Sequence, residues 1–104
     1  MNDREFNDLV DGVLSSIEDV IDAADNDIDI ESSAGVLTLT MVNGSKVIIN
    51  RQAATHEIWV AARSGGYHCA WRESQWHCTT TSETLGTLLS RVLAEQGANG
   101  LVFD

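Results

Sequence analysis

The sequence has no proline and only two cysteines. Proline restricts the unfolded chain, so its absence indicates a flexible or cold-adapted protein. The two cysteines are expected to be free thiols, as is usual in a reducing cytoplasm. Basic residues are scarce as well: six Lys and Arg accompany sixteen Asp and Glu, for a formal net charge of −10. Nucleic acid and anionic membranes bind clustered Lys and Arg, so neither is an expected partner.

No apolar run reaches the roughly 20 residues that a membrane span needs. The first residues, Met1 to Glu5, show neither the basic and apolar regions of a secretory signal nor the composition of a transit peptide. We therefore expect a cytoplasmic protein. A length of 104 residues with 43% hydrophobic residues predicts a single globular domain spanning 1–104.

The negative charge is concentrated at the start of the chain. Residues 1–31 contain eleven acidic side chains and one basic one, Arg4, whereas residues 32–104 contain five of each. Apolar residues recur every three or four positions from residue 3 to about residue 24, which predicts an amphipathic helix. Opposite its apolar stripe lies an acidic ridge, which comprises Asp11, Glu18, Asp22 and Asp25 with Asp8 and Asp19 beside them.

The rest of the chain predicts strands and a final helix. Period-two alternation predicts an edge strand within 25–31, then strands at 36–42, 45–50, 57–62, 67–71 and 75–78. Asn43-Gly44 predicts a type I′ hairpin, and Gly65-Gly66 a further turn. A helix capped by Thr81 or Ser82 follows, weakened by Gly86 and ended by Gly97. We predict an α+β protein, a two-layer sandwich with both helices on one face of an antiparallel sheet of five or six strands.

The acidic ridge has two possible explanations. Charge runs on helices usually serve only as a solvated face. Here, however, the charge increases toward the helix C-terminus, where the dipole disfavours it by about 0.3–1 kcal/mol per group. It also continues through Asp27, Asp29 and Glu31 into the edge strand. Carboxylates in this arrangement suit hard cations at modest affinity, or a basic partner. Asp25-x-Asp27-x-Asp29 is not a calcium loop, since Ile30 and Val36 stand where Gly and Glu are needed.

Two other features are candidates for function. His68-Cys69 and His77-Cys78 could hold zinc, although a packed hairpin with buried thiols is the simpler interpretation. If this hairpin turns around 72–74, His68 lies opposite Cys78 and Cys69 opposite His77.

Trp59 is the second feature. Ile58 and Val60 are expected to face the helices, which predicts Trp59 on the open sheet face, where it could anchor an interface; a register shifted by one would instead bury it. Asn50, Arg51 and Gln52 could border that surface or simply shape a turn.

The chain resembles the bacterial frataxins over nearly its whole length. The resemblance is carried by the acidic first helix and by a set of segments: Asn43-Gly44-Ser45-Lys46, Ile48-Ile49-Asn50-Arg51-Gln52, His56-x-Ile58-Trp59-Val60-Ala61, Gly65-Gly66-Tyr67-His68, Trp76, Glu83-Thr84 and Leu88-Leu89. Leu85-Gly86 departs from the bulky aromatic residues that relatives often have there, which should loosen the second helix.

The resemblance implies a frataxin-like α/β sandwich and a small iron-binding regulator of iron–sulfur cluster assembly. It implies weak binding of Fe²⁺ and Fe³⁺, for which other divalent or trivalent cations can substitute. The partners it implies are a cysteine desulfurase and a scaffold protein, and the protein would be a monomer that can oligomerise with iron. Transferred by position, the residues for iron and desulfurase contact are Glu18, Asp19, Asp22, Asp25, Asp27 and Asp29, with Asp3 and Asp11 as further candidates. Those for contact through the sheet face are Asn50, Arg51, Gln52 and Trp59.

Two alternatives stay open from the sequence. One is a weak ferroxidase that stores the oxidised iron, which needs converging ligands where the sequence offers a dispersed ridge. The other is an acidic inhibitor that mimics nucleic acid, in which Trp59 would have no role. No conventional catalytic motif is present, so we expect a protein that is not an enzyme.

Overall fold

The computed structural model describes residues 1–24 and 26–103. Two helices and six strands follow one another in the order α1, β1 to β6, α2. Their bounds are α1 Asp3–Ala23, β1 Asp29–Ser33, β2 Val36–Thr40, β3 Lys46–Gln52, β4 Glu57–Ala62, β5 Gly65–Arg72, β6 Gln75–Cys78 and α2 Leu85–Glu95. Each strand pairs antiparallel with the next, so the sheet order is β1-β2-β3-β4-β5-β6. Both helices cover one face of this sheet, and the predicted sandwich is confirmed.

The core lies between the helices and alternate residues of the strands. Helix α1 begins with a capping box formed by Asn2 and Glu5, and its apolar stripe buries Phe6 and Ile17 among others. Strand β4 shows the alternation most clearly, because Ile58 and Val60 are buried and Trp59 between them is not. The buried residues of the core are Phe6, Val10, Ile17, Ile21, Leu37, Leu39, Met41, Val47, Ile49, Ile58, Val60, Cys69, Trp76, Cys78, Leu85, Leu88, Leu89, Val92, Leu93, Leu101 and Phe103.

The turns differ from those predicted. Of the Asn43-Gly44 pair only Gly44 has a positive φ, 86°, and its N–H donates to the Met41 carbonyl. The hairpin is therefore a three-residue loop with a left-handed glycine, not a type I′ turn. Gly65 and Gly66 open β5 instead of forming a turn. The β5–β6 hairpin turns at Glu73 and Ser74, whose φ values of 50° and 62° no glycine signalled.

The N-cap of helix α2 lies two or three residues later than the predicted caps, Ser82 and Thr81. Its N-cap is Thr84, whose side chain accepts a hydrogen bond from the Thr87 N–H. Glu83 lies before the cap and receives two hydrogen bonds of 2.9 Å from Arg91. These bonds, more than the opposing effect of burial, lower the pKa of Glu83 and raise that of Arg91. The helix ends as predicted at Gly97, where φ is 102°.

Candidate functional site

The N-terminal half of the acidic helix is attached to β3 by an ion pair and to the β3–β4 turn by a hydrogen bond. The Nε2 atom of His56 lies 2.7 Å from the Asp3 carboxylate. The Arg51 guanidinium donates to the Asp11 carboxylate and, at 2.8 Å, to the Asn7 side chain. A cation binding at Asp3 or Asp11 would therefore compete with a side chain already in place.

The C-terminal half of the same surface is unpaired within the described residues. We call the carboxylates of Glu18, Asp19, Asp22, Asp27 and Asp29 the acidic corner. All are exposed except Glu18, which is half-buried, and no ion pair involves any of them in the described parts of the chain. Asp25, which the sequence places in the same group, lies outside the described residues.

Asn26 connects the helical residues of the acidic corner, Glu18, Asp19 and Asp22, to Asp27 and Asp29, which follow the helix. Its amide donates to the carbonyls of Ile21 and Ala24 at 2.9 and 3.0 Å, which satisfies the end of α1. Its oxygen accepts from the Ile28 N–H at 2.9 Å and starts the chain toward β1. This single side chain therefore brings Asp27 next to the helix terminus. Sequence reasoning missed it, although an Asn just after a helical pattern is a known termination signal.

The acidic corner can attract cations but does not enclose them. On one helix face, residues three or four apart have Cβ atoms about 5–6 Å from each other, which applies to the pairs Glu18–Asp22 and Asp19–Asp22. The last turn of α1 contains no basic residue, so its carbonyl dipoles add to the negative potential. Among the described residues no three His, Cys, Asp or Glu side chains form a group that could hold a metal ion. The geometry suits a shallow, solvated site.

A second surface lies on the open face of the sheet. Trp59 is half-buried there and stacks on His68 of the next strand, with ring centroids 4.3 Å apart and planes 9° from parallel. Its indole N–H donates to the Glu57 carboxylate at 2.9 Å, which fixes the ring. Strand register places Asn50 directly beside Trp59, and Gln52 beside Glu57. The predicted outward orientation of Trp59 is confirmed.

Arg51 does not belong to this open face. It pairs across β3 and β4 with the buried Ile58, so its side chain projects toward the helices and reaches Asp11. The expectation that Arg51 shares a surface with Asn50 and Gln52 is therefore wrong in placement. The reason is strand alternation, which sends every second residue to the opposite face.

The predicted pairing of the two His-Cys dipeptides is also wrong. Cys69 lies opposite Cys78, and His77 opposite Ala70. Both thiols are buried in the core, whereas alternation sends His68 and His77 to the open face. The sheet separates the sulfur from the nitrogen ligands, and this arrangement does not offer a zinc site.

These features define a class of protein: a small α/β sandwich whose two candidate binding surfaces are an anionic corner and an aromatic sheet face. A family model described as a frataxin-like domain matches residues 1–99. The chain is 46% identical to the iron–sulfur cluster assembly protein CyaY of Stutzerimonas stutzeri, covering 100% of this chain and 96% of that protein. It is 44% identical, with the same coverage, to the CyaY protein of Pseudomonas fluorescens.

Solved structures of frataxins have the same fold as this chain. Frataxin from Psychromonas ingrahamii superposes with a TM-score of 0.93 at 32% identity, covering 100% of this chain and 99% of that one. A trimeric yeast frataxin from Saccharomyces cerevisiae, complexed with ferrous iron, gives 0.69 at 28% identity, covering 88% and 83%. The chain belongs to the frataxin family.

Proposed function

We propose that this chain is an iron-binding regulator and adaptor of iron–sulfur cluster assembly that acts in the cytoplasm on a cysteine desulfurase and its scaffold protein. The observation that carries the proposal is the acidic corner, five carboxylates that form no ion pair in the described parts of the chain. The names of the CyaY relatives and the ferrous complex of yeast frataxin support it.

The acidic corner would bind iron and the desulfurase through the same side chains. Self-repulsion among its carboxylates is relieved when a cation or a basic surface approaches. A shallow site binds Fe²⁺ or Fe³⁺ weakly and exchanges it quickly. Because the two ligands use the same carboxylates, iron would compete with or reshape the desulfurase contact. Both interactions should weaken as salt rises.

The open sheet face would contact the scaffold protein. Trp59 is held flat by His68 and Glu57 and needs little further ordering to bind. Asn50 and Gln52 border it, whereas Arg51 contributes by holding α1 to the sheet.

We propose a monomer that oligomerises with iron, an idea supported by the trimeric yeast frataxin. A ferroxidase would need converging ligands, so this alternative is not favoured.

The test is an anaerobic titration of the ¹⁵N-labelled protein with Fe²⁺, monitored by NMR. Paramagnetic broadening should begin at residues 18–22 and 27–29. Asp22→Asn should weaken binding roughly fivefold, about 1 kcal/mol. Asp8→Asn removes the same charge from an exposed position near the other end of α1 and should change the affinity less. Broadening that starts elsewhere, or equal effects of the two variants, would contradict the proposal.

A further inference from the structure

The two cysteines face each other across the last hairpin. Cys69 of β5 and Cys78 of β6 are direct partners in the register, and both are free. The Thr79 N–H donates to the His68 carbonyl at 2.8 Å, and the Cys78 N–H donates to Glu83 instead of Cys69. The cysteines therefore form a non-hydrogen-bonded pair, the closer kind, with Cα atoms typically about 4.5 Å apart. Disulfides span Cα separations of about 4.4–6.8 Å, so a bridge fits this backbone.

The surroundings of the two thiols differ. Cys78 borders a surface cavity of about 170 Å³ together with Arg72, His77 and Ser82, and Cys69 is not among the residues that line this cavity. The cavity is large enough for a small peroxide, since a water molecule occupies about 30 Å³ in the liquid. Both side chains are buried, but Cys78 lies on the edge strand β6 beside this cavity, and Cys69 lies one strand further into the sheet.

Electrostatics assign different roles to the pair. Burial raises the pKa of Cys78, but hydrogen bonds from Thr80, whose Oγ1 lies 3.4 Å from the sulfur, and from Thr81 outweigh it and lower that pKa overall. Burial first, and then the neighbouring Cys78, raise the pKa of Cys69 to about 12. The thiolate is the nucleophile, so Cys78 is the thiol that reacts first.

We propose that Cys78 and Cys69 form a redox site, in which a peroxide oxidises Cys78 and Cys69 then closes a cross-strand disulfide. In the first step the Cys78 thiolate attacks one peroxide oxygen and the O–O bond breaks. The other oxygen leaves as hydroxide, which takes a proton to become water, and Cys78 becomes a sulfenic acid. In the second step the Cys69 sulfur attacks the Cys78 sulfur, the S–O bond breaks, and the Cys69 proton leaves with the hydroxide as a second water.

The disulfide would fasten the outermost hairpin of the sheet. It restricts the unfolded chain, so the oxidised protein should melt about 5–15 °C above the reduced one. His68, which stacks on Trp59, directly precedes Cys69 in β5. The disulfide would therefore also restrict the backbone next to the Trp59 contact. The site uses neither iron nor the acidic corner, and it stands or falls independently of the proposed function.

The test exposes the folded, reduced protein to hydrogen peroxide, then denatures it and alkylates the free thiols. We expect a monomer that has lost two hydrogens, resists alkylation, yields a linked Cys69–Cys78 peptide and is restored by a dithiol reductant. In Cys69→Ser, dimedone should trap the sulfenic acid at Cys78. In Cys78→Ser, dimedone should not label Cys69.

A matched control moves one thiol to the wrong face. The double variant His77→Cys with Cys78→Ala keeps two cysteines in the hairpin but turns one toward the open face. It should form no internal disulfide under conditions that oxidise the native chain, and circular dichroism would establish that each variant is folded. The proposal is overturned if the native chain keeps two alkylatable thiols, forms only intermolecular dimers, or stops at an over-oxidised Cys78.

Discussion

The Phe103 backbone lies directly against the α-carbon of Gly86. A Cβ atom added at Gly86 would lie 1.8 Å from the Phe103 carbonyl oxygen and 2.9 Å from its carbonyl carbon. Phe103 is 8% exposed and belongs to the core, and Ser90 holds the preceding segment through a 2.7 Å bond to the Leu101 carbonyl. Gly86 therefore does more than weaken α2, because it makes room for the end of the chain.

Gly86→Ala should destabilise the protein even though alanine favours helices by up to about 1 kcal/mol. Displacing the Phe103 backbone should cost roughly 1–3 kcal/mol, which outweighs the gain in propensity. Urea unfolding measures the net change. Gly12→Ala is the control: nothing lies within 4 Å of its added Cβ on the exposed side of α1, so it should stabilise by about 0.5–1 kcal/mol. Stabilisation by both substitutions would refute the proposed contact.

Arg51→Ala should lower the free energy of unfolding by about 1–2 kcal/mol. It removes charge-assisted bonds to Asn7 and Asp11 and leaves Asp11 uncompensated on an already acidic helix. Arg72→Ala removes the same charge from an exposed residue of β5 that forms no ion pair within the described residues, so it should change stability by less than about 0.5 kcal/mol. Equal losses in the two variants would show that Arg51 acts only through overall charge.

The Glu83–Arg91 pair predicts a pH-dependent contribution to stability. The folded state holds the pKa of Glu83 below its ordinary value, so the pair stabilises above the unfolded pKa of about 4.3. That contribution is lost as pH falls through the lower folded pKa. Glu83→Gln should therefore cost roughly 1 kcal/mol at neutral pH and little in acid, as measured by denaturant unfolding across pH. Glu73→Gln, at an exposed residue of the β5–β6 turn that forms no ion pair in the described residues, is the control and should cost less than about 0.5 kcal/mol at neutral pH.

Trp59→Ala should affect binding far more than folding. Its ring lies on the open face, so its removal should cost about 1 kcal/mol of stability, chiefly the stack on His68. If Trp59 anchors the scaffold contact, affinity should fall about 30-fold or more, or 2 kcal/mol. Isothermal titration calorimetry measures the affinity. Val42→Ala, at an exposed apolar residue of the β2–β3 turn, should leave it unchanged; unaltered binding by Trp59→Ala would remove the sheet face from the proposal.

Patterns with strong periodicity were predicted well, and local backbone geometry was not. The first helix was predicted at 3 to about 24 and is found at Asp3–Ala23, and the fourth strand matches at both ends. The β5–β6 register was wrong by one residue, since it depends on a turn at Glu73-Ser74 whose positive φ values need no glycine. Because of this register error, each cysteine was predicted to lie opposite a histidine, whereas Cys69 and Cys78 lie opposite each other.

The sequence by itself determined the sandwich, the outward Trp59 and the concentration of charge in residues 1–31, because burial period and net charge are properties of residue order. Only the tertiary structure decided which carboxylates are already paired and which remain available. Arg51 and His56 lie forty or more positions from the helix residues they contact, so no local pattern could reveal the contacts of Asp11 and Asp3. Asp11 therefore belongs to the acidic ridge of the sequence but not to the acidic corner of unpaired carboxylates.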